Sequence, residues 1–188
     1  MNEAAILKIF QDSGALLTGH FKLSSGLHSG QYLQCALVLQ NPKYAEDLSD
    51  ALALRFKKER INIVIGPALG GIIVSYEVAR ALGARALFTE RVDGKMVLRR
   101  GFNIDKNDRV LVVEDVVTTG LSTKEVIDTV KEFGADLVGV GAIISRAKES
   151  PFKERFEALI KIDIPTFEPA DCPLCREKIP ISKPGSRK

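Results

Sequence analysis

Residues 109–125 read RVLVVEDVVTTGLSTKE, and this stretch decides the fold. Its first part, Val110–Val113, is an unbroken apolar run, mostly β-branched. Such a run suits a strand buried on both faces of a parallel sheet. Two acids, Glu114 and Asp115, follow at once, and Val116 and Val117 lead into Thr118-Thr119-Gly120-Leu121-Ser122. Behind them Val126, Ile127 and Val130, with Phe133 one turn on, predict a helix over 122–133 with one apolar face. Ser122 and Glu125 have the S-x-x-E spacing of a capping box. The order is buried strand, acidic tip, short small-residue loop, helix N-terminus.

In open α/β sheets, ligands bind at the carboxyl ends of the strands. Free N–H groups and the helix dipole favour an anion there, glycine allows close backbone approach, and hydroxyls add donors. The two acids must then face something other than that anion, such as a sugar diol or a hydrated Mg²⁺. A ribose phosphate held at both ends satisfies both requirements. An ordinary βα turn before a capped helix is the plain alternative.

The run VLVVEDVVTTGLS resembles the ribose-phosphate signature of the type I phosphoribosyltransferases: four apolar residues, two acids, two apolar residues, then TTG. GALLTGHFKLSSGLHSGQYLQ near the N-terminus, GPALGG in the middle, ERVDGKMVLRRGF before the signature and KPGSR at the end resemble the orotate phosphoribosyltransferase family. The resemblance implies an α/β fold, with a central, mainly parallel sheet flanked by helices and a small N-terminal hood. It also implies transfer of a phosphoribosyl group from phosphoribosyl pyrophosphate to orotate, with Mg²⁺ as cofactor, bound mainly through substrate rather than by protein ligands. Glu114 and Asp115 would hold the ribose hydroxyls, and Val116, Val117 and Thr118–Ser122 (through Thr119, Gly120 and Leu121) the 5′-phosphate. Ala68, Leu69 and Gly70 would form the pyrophosphate loop, Arg91 and Lys95 would supply cations, and Tyr32, Thr118 and Arg146 would contact the base. Lys95, Asp115 and Glu114 are the expected catalytic set.

Outward from the signature, strand and helix alternate. Residues 2–13 read as a helix stopped by Gly14; residues 15–34 carry Gly19, Gly26 and Gly30 and read as short hairpin strands. Residues 15–40 are too few for a separate core, so they are expected to form a hood over the main sheet. Pro42 opens a helix running to about Lys58, with Ala45, Leu48, Leu52 and Phe56 as its buried stripe. Ile61–Ile65, Arg85–Phe88, Asp136–Ile144 and Leu159–Ile162 read as strands and Ile72–Leu82 as a helix. That alternation predicts one domain, 1–188, around a parallel sheet with right-handed crossovers.

GPALGG (Gly66–Gly71) lies between a strand and a helix; its glycines permit N–H groups to wrap an anion, and a tight βα turn is the equal alternative. Some relatives carry a lysine where this chain has Gly70. Residues 90–101 carry Arg91, Lys95, Arg99 and Arg100 with little apolar material. They read either as a solvated loop or as a mobile flap whose cations close over a polyanion. By resemblance the flap reaches the neighbouring subunit of a homodimer. Two positions often basic in the family are Val92 and Val97 here, and a hood lysine corresponds to Ser24. His20 and His28 are assigned no catalytic role. Cys172-Pro-Leu-Cys175 has no histidine near in sequence and reads as a tight turn with reduced thiols; zinc needs four ligands, and a site shared between subunits is the alternative.

An apolar share of 45% is enough for a globular core, and a net charge of +3 is too mild to suggest nucleic acid. No apolar run approaches the ~18 residues of a membrane span, and MNEAAILKIF lacks the pattern of a secretory signal, so a cytoplasmic protein is expected. An odd cysteine count, 3, argues against a disulfide framework. A sister enzyme acting on another base and a phosphoribosyl pyrophosphate-binding regulator are the rival readings. A regulator needs a nucleic-acid-binding element for which the chain has no spare segment.

Overall fold

The computed structural model describes residues 1–23 and 25–183. Ser24 and most of the closing KPGSR segment therefore lie outside the described residues. In chain order the elements are α1 (Glu3–Asp12), β1 (Leu16–Lys22), β2 (His28–Leu33), α2 (Cys35–Leu39), α3 (Pro42–Phe56), β3 (Ile63–Pro67) and α4 (Gly70–Leu82). There follow β4 (Arg85–Val92), β5 (Lys95–Leu98), β6 (Arg109–Val117), α5 (Leu121–Glu132), β7 (Asp136–Ser145), β8 (Phe156–Lys161), β9 (Thr166–Phe167) and α6 (Pro173–Arg176).

The main sheet has the order β5-β4-β3-β6-β7-β8, parallel except for β5, which returns antiparallel along β4. β6 is central, as its apolar run predicts. Successive side chains of a strand point to opposite faces, so an uninterrupted apolar strand feeds two cores. Leu111 and Val113, with Val64, join Leu48, Leu52 and Phe56 of α3 and Val74 and Val78 of α4 on one face. Val110 and Val112, with Ile63 and Ile65, join Val126, Ile127 and Val130 of α5 on the other. Every one of these residues is at most 3% exposed, so a polar substitution at any of them would lose burial and strand a polar group.

The hood is a second sheet, β1-β2-β9, all antiparallel. The hairpin expected over 15–34 is thus present, with its third strand supplied by residues far along the chain. α1 is capped by Asn2, whose side chain accepts from the Ala5 N–H at 2.9 Å, and it buries Ile6 and Phe10. α3 is capped by Asn41, which accepts from the Lys43 N–H at 3.0 Å, with Pro42 in its first turn.

Five expectations need correction. The central strand does not stop at Val113 but runs to Val117, pairing Glu114 with Ala142 and Val116 with Ile144, so both acids belong to the strand itself. The capping box is not made: Gly120, left-handed at φ 73°, is the N-cap of α5, and Glu125 turns instead to Arg91. Only glycine suits that position, because a Cβ there would also meet Phe152 and Pro151 at 2.9 Å. Phe133 ends the helix and is 42% exposed rather than buried.

Residues 90–101 are not an unpacked loop. They turn at Asp93-Gly94 and form the β4–β5 hairpin, pairing Arg91 with Met96 and Val92 with Lys95. Arg91 pairs with Glu125, and Arg100 holds Glu90 through two bonds of 2.7 and 2.8 Å. An edge strand needs little apolar surface and carries charge on its open side, which is why its composition reads as loop. Finally, the C-terminal segment returns over the hood. The Lys22 N–H donates to Ser182 O at 2.8 Å, and the Ser182 N–H to His20 O at 2.8 Å. Cys172 and Cys175 are thereby brought beside His20 and His28, although no histidine is near them in sequence.

Candidate active site

The carboxyl ends of β6 and β7, the β6–α5 loop and the inner side of the hood enclose a cleft of about 1150 Å³. Glu114, Asp115, Val116, Val117, Thr118, Thr119, Gly120, Leu121 and Ser122 line it continuously. Tyr32 enters from the hood, Arg146 from the end of β7 and Arg91 from the end of β4. Not every expected residue is gathered here: Lys95, exposed at the far side of the hairpin turn, does not line this cleft.

Two helices point their N-termini at this end of the sheet. Neither α4 nor α5 has a side-chain cap, in contrast to α1 and α3. The Leu121 N–H reaches Thr119 Oγ1 only at a long 3.4 Å, so the N-terminus of α5, next to exposed Thr118 and Thr119, is open to an anion. At α4 the neighbour is Asp115. A Cβ on Gly70 would stand 2.4 Å from Asp115 Oδ2, so only glycine lets this carboxylate lie against the first turn of the helix, where the dipole favours it. Ala68 and Leu69 form the approach to α4; their connecting peptide bond is cis, and Leu69 is 76% exposed. These two and Gly70 do not line the cleft itself; Gly70 borders it through Asp115.

Glu114 is buried, and its carboxyl is held well above the usual carboxylate range, first by burial and then by the charge of Asp115. A buried carboxylate next to another one favours its neutral form until positive charge arrives. Tyr32 is pushed up by burial and by Asp115, while Arg146 is pushed down by burial, opposed by Tyr32 and Asp163. Arg146 Nε is buried and has no hydrogen-bond partner. Its backbone N–H donates to Val117 O at 2.8 Å, which ties the β7 end to the signature strand. An arginine held in place with a donor left over is suited to a planar anionic or carbonyl-bearing ligand.

The cleft also contains residues that the sequence reading did not single out. Leu23, Leu27 and Cys35 add apolar surface, and Asp163, Thr166 and Lys148 bring polar groups from the segments after β7 and β8. Lys148, two residues after Arg146, could have been noticed as a second cation at the same strand end. Asp163 and Thr166 carried no local signal.

The mainly parallel sheet, the loop after its central strand and the cleft above it correspond to the phosphoribosyltransferase class. The family description "Phosphoribosyl transferase domain" matches residues 36–167. An orotate phosphoribosyltransferase of Caldanaerobacter subterraneus subsp. tengcongensis is 54% identical over 189 aligned positions, covering 100% of both chains. One from Desulforamulus reducens is 52% identical over 188, covering 100% of this chain and 98% of the relative. Among solved structures, orotate phosphoribosyltransferase from Aeropyrum pernix superposes with a TM-score of 0.71 at 24% identity, over 84% of this chain and 93% of the other; at that identity the likeness concerns the fold. The chain belongs to the phosphoribosyltransferase family, on its orotate phosphoribosyltransferase branch.

Proposed function

We infer that the protein transfers the phosphoribosyl group of phosphoribosyl pyrophosphate to orotate, giving orotidine 5′-monophosphate and pyrophosphate in pyrimidine (UMP) biosynthesis. The observation that carries this reading is the full-length similarity to orotate phosphoribosyltransferases, together with a cleft that has an open helix N-terminus on one side and an unpartnered arginine donor on the other. In the reaction the bond from the ribosyl anomeric carbon to pyrophosphate breaks, a bond to an orotate ring nitrogen forms, and that nitrogen loses its proton. The leaving group keeps the bonding electrons.

The chain acts by position and charge. Thr118–Ser122 and the α5 N-terminus hold the 5′-phosphate. Asp115 and Glu114 accept from the ribose hydroxyls and tolerate positive charge developing on the ring. Tyr32, Thr118 and Arg146 orient the base. Ala68, Leu69 and Gly70, with Arg91 and Lys95, face the pyrophosphate. Mg²⁺ fits this donor set, because it binds through phosphates and one or two carboxylates while retaining water. Asp115 and Glu114 are the carboxylates that would hold it, through the ribose hydroxyls, and when bound it neutralises charge on the departing pyrophosphate.

Lys95 completes a cleft other than its own in this reading, which makes the working unit a homodimer. The support is its position on the outer end of the β4–β5 hairpin, away from the cleft lined by its own chain. The protein works in the cytoplasm, in keeping with its three free cysteines, and among the described residues no helix is long and apolar enough to cross a membrane.

The direct test is orotate consumption with and without phosphoribosyl pyrophosphate, against a panel of other bases. Turnover confined to orotate is expected; turnover of a purine instead would overturn the reading. Shared catalysis is tested by mixing Lys95→Ala and Asp115→Asn homodimers, each poor alone, under conditions that exchange subunits. Random pairing makes roughly half the dimers mixed with one intact site of two, so activity should recover toward about a quarter of wild type. No recovery with mixed dimers demonstrated would place Lys95 in its own subunit's site.

A further inference from the structure

We propose that His20, His28, Cys172 and Cys175 bind one structural zinc ion that fastens the C-terminal segment to the hood. Their ligand atoms all lie within 4.8 Å of one another. His20 Nε2 is 3.0 Å from His28 Nδ1, 3.6 Å from Cys172 Sγ and 3.7 Å from Cys175 Sγ, and Cys175 Sγ is 3.3 Å from His28 Nδ1. Tetrahedral zinc with bonds of about 2.0–2.1 Å to nitrogen and about 2.3 Å to sulfur needs ligand atoms separated by roughly 3.3–3.8 Å. Three of these four separations already fall in that range and the His20–His28 pair is 0.3 Å short of it, so small side-chain shifts would seat the ion.

The protons point the same way. His20 Nδ1 lies 2.7 Å from Ile179 O, and a carbonyl only accepts, so Nδ1 carries the hydrogen of the neutral ring. Nε2 is then left with one lone pair and three polar neighbours converging on it. One lone pair accommodates one of those neighbours; a cation at their common centre accommodates all of them. A backbone carbonyl fixing the far nitrogen is also the usual outer support of a metal-bound histidine.

Charge and connectivity agree. Binding displaces the two thiol protons to solvent, and Zn²⁺ with two thiolates and two neutral imidazoles is neutral overall. That suits a site in which His20, His28 and Cys172 are buried and Cys175 is exposed at the rim. Cys172-Pro-Leu-Cys175 has the short chelate spacing of structural zinc sites, while the histidines come from the facing strands β1 and β2. The hood is a sheet of only three strands, and small units of that kind gain most from a metal staple.

The test is metal analysis of the full-length protein purified without chelators, beside Cys172→Ser/Cys175→Ser, Cys175→Ser alone and Cys35→Ser. One zinc per chain is expected in wild type and Cys35→Ser, and near-complete loss in the double variant. Cobalt exchanged into wild type should give the thiolate charge-transfer and intense visible bands of a tetrahedral S₂N₂ site, and both thiols should resist alkylation until zinc is removed. If the double variant fails to fold, the wild-type cobalt spectrum and the single variant still decide. Wild type that neither contains nor takes up zinc, a zinc content unchanged by the cysteine substitutions, or a Cys172–Cys175 disulfide in the native mass would each overturn the proposal. None of these readouts depends on turnover.

Discussion

The two ends of the main sheet are built from the same residue types to opposite effect. At the amino end, where β6 begins, every polar group named here is answered from within the chain. Asp108 accepts from Asn62 Nδ2 at 2.9 Å, from the Asp105 N–H at 2.7 Å and from Arg85 at 3.1 Å. Arg109 donates to Glu59 O at 2.8 Å and also pairs with Asp136. At the carboxyl end, where β6 finishes, Glu114 is buried with its carboxyl held high, Arg146 Nε has no partner, and α4 and α5 start uncapped. One end is closed for stability; the other is left incomplete, and a ligand with phosphates, hydroxyls and a planar acidic base would complete it.

The contrast can be broken most severely at the acids. Asp115→Asn with Glu114→Gln is expected to lower turnover by about 10²–10³-fold, the scale for losing electrostatic stabilisation, while thermal unfolding stays at or above the wild-type midpoint. Near-normal turnover would remove these carboxylates from the mechanism. Arg146→Ala comes next. Loss of a charge-assisted pair of about 1.5–3 kcal/mol should raise the orotate KM roughly 10- to 150-fold and move that for phosphoribosyl pyrophosphate far less. Equal movement of both constants would show that Arg146 is not a base contact.

The mirror experiment belongs to the amino end. Asp108→Ala removes three hydrogen bonds to a buried carboxylate and should cost about 1–3 kcal/mol, lowering the melting midpoint by about 2–4 °C for each kcal/mol, with kcat unchanged at temperatures where the variant is folded. A fall in kcat without a fall in midpoint would erase the distinction between the ends. The smallest effect sharpens it through pH. The raised carboxyl of Glu114 binds its proton more tightly folded than unfolded, so its stability contribution is full below about pH 4.5 and declines as pH rises through the folded value. Glu114→Gln should therefore melt higher than wild type at neutral pH, with the gap closing toward pH 4; a gap independent of pH would mean that Glu114 is not the titrating group.

Much of this was legible because it is contiguous. β6, the loop and α5 follow one another, and a buried strand announces itself by composition. The inference of a ligand at the strand end needed only the order of residue types. Sequence spacing misplaces the N-cap because Ser122–Glu125 satisfies the rule, while the choice of Gly120 depends on its left-handed φ and on Pro151 and Phe152 pressing on the loop from afar. The composition of the β4–β5 hairpin reads as loop or flap because an edge strand needs no apolar alternation. The His20–His28–Cys172–Cys175 cluster left no trace in spacing: His20 and Cys172 are 152 positions apart, and only the pairing of β1 with β2 and the returning tail bring them together.

That returning tail also sets a timetable. β2 is completed at residue 33, but its partner β9 begins at Thr166 and the Ser182 bridge to Phe21 comes later still. A ribosome working at about 5–20 residues per second leaves the hairpin without its third strand for roughly 7–27 s. The main sheet, whose strands lie closer together in sequence, can begin to assemble during that interval, and the pairing of distant segments is the slower step in any case. During synthesis, then, the floor of the cleft precedes its roof, and the β2 edge stays open to foreign strands until Thr166 and Phe167 have emerged.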